Sequence, residues 1–162
     1  MTAFRPQRLD RTLTCYRIGD PTGEFPIYDG RGAMLYPGRW NAGETPVIYA
    51  AEHYSTAMLE KLAHGNGRLP PNQHFITITI PKGTSFEMVT RDHLPGWDAL
   101  DQAISRDFGE RWAQQRRSLI LIAPSFVARM ERTIVINPAH GEGASIETSL
   151  PEPVWWDRRL FR

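Results

Sequence analysis

The residues best suited to chemistry lie in one stretch, Gly38 to His64, which reads GRWNAGETPVIYAAEHYSTAMLEKLAH. Arg39 stands between Gly38 and the pair Trp40-Asn41. A guanidinium fork matches phosphate oxygens two at a time, and the glycine lets backbone approach a ligand closely. Tyr49 offers a flat ring for stacking and one hydroxyl for a hydrogen bond. Glu60 sits among Met58, Leu59 and Leu62, a setting that removes water from a carboxylate. A carboxylate there would steady positive charge developing on a ribose carbon, or orient the ribose hydroxyls. His64, one helical turn later, shares its face. Ser125 follows an apolar run, where a hydroxyl can meet a ligand at a sheet edge. A fixed cation, an aromatic ring and a lone carboxylate suit a phosphate-bearing ligand with a flat leaving group. Each residue also has a plainer role. Arg39 could pair a surface acid, Trp40 and Tyr49 could pack, and Glu60 could lie exposed beside Lys61. His64 could complement the helix C-terminus, and Ser125 could cap a turn.

The elements that must hold these groups are legible from spacing. Residues 11–19 read as a first strand after a basic N-terminal arm, with Cys15 as a packing residue. The Gly- and Pro-rich segment 20–41 reads as a long loop, which in a compact domain is more often functional than not. A short strand covers 47–51. A helix follows over 54–63, its apolar positions Ala57, Met58, Leu59 and Leu62, stopped by Gly65-Asn66-Gly67. His74 to Ile80 alternates cleanly as a strand. Residues 98–117 supply a helix, expected to break at Gly109, with Leu100, Ile104, Phe108 and Trp112 on one face. LILIA (119–123) suits a strand buried on both sides. TIVI (133–136) is another strand, and 154–161 is expected as a last strand at an edge. The expected class is mixed α/β (α+β), a single domain over 1–162.

Composition narrows the function. At 41% apolar residues plus 13 glycines, the 162-residue chain can bury a proper core. A net charge of +1 gives no electrostatic reason for tight nucleic-acid binding, although Arg111, Arg116 and Arg117 cluster locally. One cysteine excludes an internal disulfide and fits a reducing compartment. The N-terminus has no apolar core of a signal peptide and no run is long enough to cross a bilayer, so a cytoplasmic protein is expected. The five histidines show no metal-ligand spacing and HExxH is missing, so no metal is expected. Dinucleotide-fingerprint, P-loop and G-x-S-x-G patterns are also missing.

The blocks PGRWN, PVIYAAE, EKLAH, IAPS and INPAH, in this order, resemble the RES-domain toxins, bacterial toxins encoded beside an Xre-type antitoxin. The likeness runs from Tyr16-Arg17 through Trp112 and Pro124-Ser125 to Asn137-Pro138 and His140. GRWN with the downstream Tyr and Glu is its specific part. Pro37 departs from the family, which often has a second glycine there. The resemblance implies a fold similar to diphtheria-toxin-like ADP-ribosyltransferases, with a central split β-sheet and flanking helices. It implies a site that consumes NAD+ as substrate. Residues matching Arg39, Trp40, Asn41, Tyr49, His64 and Ser125 would bind it, and Glu60, with Arg39 and Tyr49, would be catalytic. The acceptor would be inorganic phosphate, a protein or water. Also implied are an Xre/ParS-type antitoxin and a homodimer, with neither membrane nor direct nucleic-acid binding. Two other readings remain: a ribonuclease-like toxin, and a non-catalytic partner-binding module using Trp155-Trp156 and its flanking arginines.

Overall fold

Two apolar runs set the middle of the molecule. A computed structural model describes residues 6–161; the first five residues of the basic N-terminal arm fall outside them. In chain order the strands are β1 (Gln7–Arg8), β2 (Leu13–Gly19), β3 (Ile48–Ala51), β4 (His74–Ile80), β5 (Ser85–Met88), β6 (Ile120–Pro124), β7 (Arg132–Ile136), β8 (Glu147–Thr148) and β9 (Glu152–Pro153). The helices are α1 (Arg31–Leu35), α2 (Tyr54–His64) and α3 (Ala103–Gln114). All strands join one sheet, ordered β1-β5-β6-β7-β3-β2-β4-β8, with β9 also on β4. Only β5 and β6 run parallel among these pairs. This is the mixed α/β class expected.

Every residue of β6 is buried, and its period of two feeds both faces of the sheet. Ile120 and Ile122 join Ile48, Ile134, Ile136 and Cys15 on one side. Leu121 and Ala123 join Val135, Trp40, Trp97 and Trp112 on the other, under α3. A smaller cluster of Ile18, Ala51 and Ala57 seats α2. Cys15 is a packing residue: it is fully buried, and burial pushes its thiol up to about 12.

The sheet is split at one place. β2 pairs with β4 through seven residues, and β3 with β7 through four, but β2 meets β3 at Tyr16 and Ala51 alone. Where that ladder stops, the Arg17 side chain crosses the gap. Its Nη1 donates to the Tyr49 carbonyl at 2.8 Å, standing in for a missing ladder bond.

Five expectations need correction. α3 runs unbroken through Gly109, because that glycine lies against the Trp40 backbone. A Cβ there would sit 1.8 Å from the Trp40 carbonyl oxygen. The buried face of α3 is Ser105, Gly109, Trp112 and Ala113, while Leu100 is 90% exposed. Residues 154–161 do not form a strand: the edge pairing belongs to β9, and Arg158–Leu160 make a 3-10 turn. The expected loop 20–41 contains α1, and α2 turns Leu59 outward rather than into the core.

Candidate functional site

Asn41 organises the loop that carries Arg39. It is fully buried, and its Oδ1 accepts from the Gly38 N–H at 2.8 Å and from the Tyr49 hydroxyl at 2.7 Å. Its Nδ2 donates to the carbonyls of Ala33, Ala42 and Thr45. The Tyr49 oxygen also accepts from the Trp40 N–H at 2.9 Å. Burial raises the Tyr49 pKa well above its ordinary value, more than Trp40 and the nearby arginines lower it, so the phenol stays neutral and can donate. A Cβ at position 38 would meet the Tyr49 ring at 2.7 Å, so Gly38 is required by the tyrosine. Trp40 is 1% exposed and stacks on Trp97 with ring centres 6.5 Å apart. Trp40, Asn41 and Tyr49 are thus committed to holding the loop.

Arg39 leaves that loop pinned in place. Its Nη1 donates to the carbonyls of Trp97 and Ala99, each at 3.0 Å, and its guanidinium lies 3.9 Å from the Phe126 ring centre. The remaining guanidinium donors take no protein acceptor among the described residues. Burial and then Arg129 lower the Arg39 pKa, while Asp98 and Glu60 partly restore it. Glu60 rises from α2 with its carboxylate 37% exposed and His64 Nε2 3.6 Å away. Arg106 donates to the carbonyls of Gly38 and Pro37, adding positive charge behind the loop.

Ser125 is fully buried, and its Oγ accepts from the Ala128 N–H at 3.1 Å, so its hydroxyl caps the turn after β6. The His64 side chain is 78% exposed. The structure therefore ties the Arg39 loop to Tyr49 through Trp40 and Asn41, sets Glu60 and His64 on one face of α2, and turns the Ser125 hydroxyl to its own backbone.

Beside this region lies a cleft of about 230 Å³, lined among others by Arg17, Asp20, Phe25, Asp29, Tyr36 and Lys61. Sequence reasoning did not place Arg17 or Lys61 in a site, yet both carried a signal. Arg17 has the same strand parity as Leu13 and Cys15, which face the core. Lys61 lies one turn from buried Ala57, on the inward side of α2. A larger hollow of about 500 Å³ lies along α3, bounded by Leu94, Ile104, Phe108, Arg111 and Arg117, and shares none of the predicted residues. Among the described residues no group of three or more His, Cys, Asp or Glu is placed to hold a metal. No helix described is long and apolar enough to cross a membrane.

Comparison with known proteins agrees on one family. Residues 14–157 match the RES domain. The chain is 36% identical over 158 residues to a Prs ADP-ribosylating toxin of Sphingobium sp. (strain YBL2), covering 93% of this chain and 98% of the relative. It is 32% identical over 129 residues to Toxin Res of Photorhabdus laumondii, covering 78% of this chain and 82% of the relative. The fold is similar to one in the M. tuberculosis MbcT-MbcA toxin-antitoxin complex, with a TM-score of 0.70 at 15% identity, over 91% of this chain and 86% of that one. With the GRWN loop, the strand tyrosine and the helix glutamate assembled as described, this chain belongs to the RES-domain family.

Proposed function

We propose that the protein is the toxin of a type II toxin–antitoxin pair, and that it binds NAD+ and breaks its nicotinamide–ribose bond. The observation that carries this reading is Arg39, pinned through one nitrogen with its other donors free, on a loop held by Asn41 and Tyr49. Arg39 receives phosphate oxygens of the dinucleotide through its free donors. Glu60 stabilises the cation that forms at the ribose anomeric carbon as the C–N bond breaks. The bonding electrons leave with nicotinamide, which departs neutral. An acceptor oxygen or nitrogen then bonds to that carbon and gives up its proton, yielding transferred ADP-ribose. The acceptor is a protein or inorganic phosphate, and no metal takes part. Asn41, Trp40 and Tyr49 hold Arg39 at the correct place, and His64 steadies Glu60 from the next turn.

The named relatives support this activity class: one is called an ADP-ribosylating toxin, and the similar fold comes from a toxin–antitoxin complex. The likeness to a toxin–antitoxin complex supports an antitoxin partner; we take it to be of Xre/ParS type, with a second copy of the chain beside it and action in the cytoplasm. Trp155, 78% exposed near the carboxyl end, favours a protein-binding surface as well, and serves these partners.

The test follows nicotinamide release from NAD+, with and without phosphate, by the wild type and Glu60→Gln. Release is expected to fall by roughly 10²–10³-fold in the variant, the loss typical of one transition-state stabiliser. Phosphate-dependent release identifies a phosphorylase; slow release without it leaves water or a protein as acceptor, and label transferred from NAD+ to a protein in cell lysate identifies the latter. Full toxicity of well-folded Glu60→Gln protein in cells would overturn the enzymatic reading.

A further inference from the structure

Helix α2, which carries Glu60, begins without help from its own sequence. His53 at its N-cap makes no side-chain hydrogen bond, and no acid stands in its first turn, where an oxygen acceptor or a carboxylate is usual. The carboxylate found there comes from another element. Glu131, the last residue before β7, accepts a hydrogen bond from the Thr56 hydroxyl through Oε2. Thr56 is 1% exposed. It stands one helical turn before Glu60, so the two share a face of α2. Thr56 is the only side-chain partner of Glu131 among the described residues. Both neighbouring arginines are engaged elsewhere, Arg132 with Glu52 and Arg129 with Asp98.

The loop that supplies Glu131 also supports Arg39. Residues 125–131 join β6 to β7 and close on themselves. The Ser125 N–H donates to the Glu131 carbonyl at 3.0 Å, and the Glu131 N–H to the Ala128 carbonyl at 2.8 Å. Within this loop Phe126 places its ring 3.9 Å from the Arg39 guanidinium and meets Trp97 edge-on. Arg129 lies against the same ring at 4.6 Å and donates to Asp98 at 2.8 Å. That contact ties the loop to the segment whose Trp97 and Ala99 carbonyls hold Arg39. One short, self-bonded loop is therefore fastened to the arginine at one end and to the helix of Glu60 at the other.

We propose that Glu131 is a positioning residue: through Thr56 it fixes α2, and with it Glu60, relative to Arg39. A helix held at its first turn by this bond carries Glu60 on the same face, so a shift at Thr56 moves the carboxylate with it. Misplacing a reacting group by about 1 Å costs on the order of 10²-fold in rate. The kinetic consequence rests on the NAD+ reading above; the placing of α2 does not.

Two measurements test this. The first is kcat and KM for nicotinamide release, well below the melting temperature, in Glu131→Ala, Thr56→Val and Glu131→Gln. The first two remove the bond, and the third keeps an acceptor oxygen. Glu131→Ala and Thr56→Val are each expected to lower kcat about ten- to a hundredfold with KM little changed. The double variant should be no slower than either single, because the pair acts as one unit. Glu131→Gln should recover most of the rate. A merely structural bond would lower the melting temperature and leave the kcat of the folded protein alone. The second measurement needs no substrate. Spin labels at Leu59→Cys on α2 and at Leu100→Cys, beside Ala99, report the distance between the two supports. Both leucines are exposed and Cys15 is fully buried, so only the new thiols take label. The distance distribution should shift or broaden in Glu131→Ala and return in Glu131→Gln. An unchanged distribution in Glu131→Ala overturns the proposal. So does an unchanged kcat in both Glu131→Ala and Thr56→Val when Glu60→Gln has lost release, and the NAD+ reading then stands. If Glu60→Gln keeps full release, the NAD+ reading fails and the label distances alone decide the placing of α2.

Discussion

The single oxygen of Tyr49 ties β3 to two adjacent residues of the loop, donating to Asn41 and accepting from the Trp40 N–H. Replacing it leaves both partners short of a hydrogen bond in a buried place. Tyr49→Phe is expected to cost about 1–3 kcal/mol of stability and to slow nicotinamide release, because Arg39 is no longer held. Thermal melting beside the release assay checks this. Slower release with unchanged melting would show that the hydroxyl touches substrate instead of scaffold. This division of labour was only partly legible in the chain. Residue types identified Arg39, Tyr49 and Glu60, since a fork, a ring and a carboxylate have few other uses in that order. They did not separate side chains that touch a ligand from those that hold the loop. Asn41 reads as a polar loop residue, and only its five hydrogen-bond partners reveal it as a hub.

At the scale of elements, Gly109 shows how a helix and a loop fix each other. α3 passes so close to Trp40 that any side chain at 109 collides with backbone, which cannot rotate away. Gly109→Ala is expected to destabilise the fold by about 3 kcal/mol or more and to displace the Arg39 loop. Gly141→Ala, with nothing within 4 Å of the added carbon, should change stability by no more than about 0.5 kcal/mol. Equal melting temperatures for the two variants would refute this account of the contact. A second element-level tie is the Glu52–Arg132 pair, which joins the end of β3 to the start of β7 at 2.6 Å. Arg132's hydrogen bonds hold the Glu52 pKa below its ordinary value, against the opposing effect of burial. A depressed carboxylate contributes stability above its unfolded pKa of about 4.3, and loses it as pH falls through the folded value. Melting between pH 7 and 3 should therefore show an acid limb that is shallower in Glu52→Gln. An identical limb would leave the pair without a stabilising role. Strand β4 was legible to the residue because its isoleucines alternate. β5, reading SFEM, was not: it has no apolar run and is a strand because β1 and β6 pair with it.

For the whole molecule, order along the sheet was beyond reach of the sequence: β6 and β7 are consecutive in the chain, but their outer neighbours, β5 and β3, are set by nonlocal pairing. That order divides the molecule mechanically. β3, β7 and β6 are buried and continuously paired, and they carry Tyr49 and the floor under Arg39. β2 and β4 form the other half, joined to the first through one registered pair and the Arg17 side chain. β8 and β9 are two-residue exposed edges. Local opening free energy follows burial and pairing, so amide hydrogen exchange should be slowest for Leu121, Ile122, Ile134 and Val135 and fastest at Glu147 and Thr148. Amides of Arg17 and Ile18, beside the split, should exchange faster than those of β6. Equal protection on both sides of the split would show that the halves open as one unit. The single pair at Tyr16 and Ala51 would then be no weaker than a full ladder, and the opening beside it would have a cause other than the missing strand pairing.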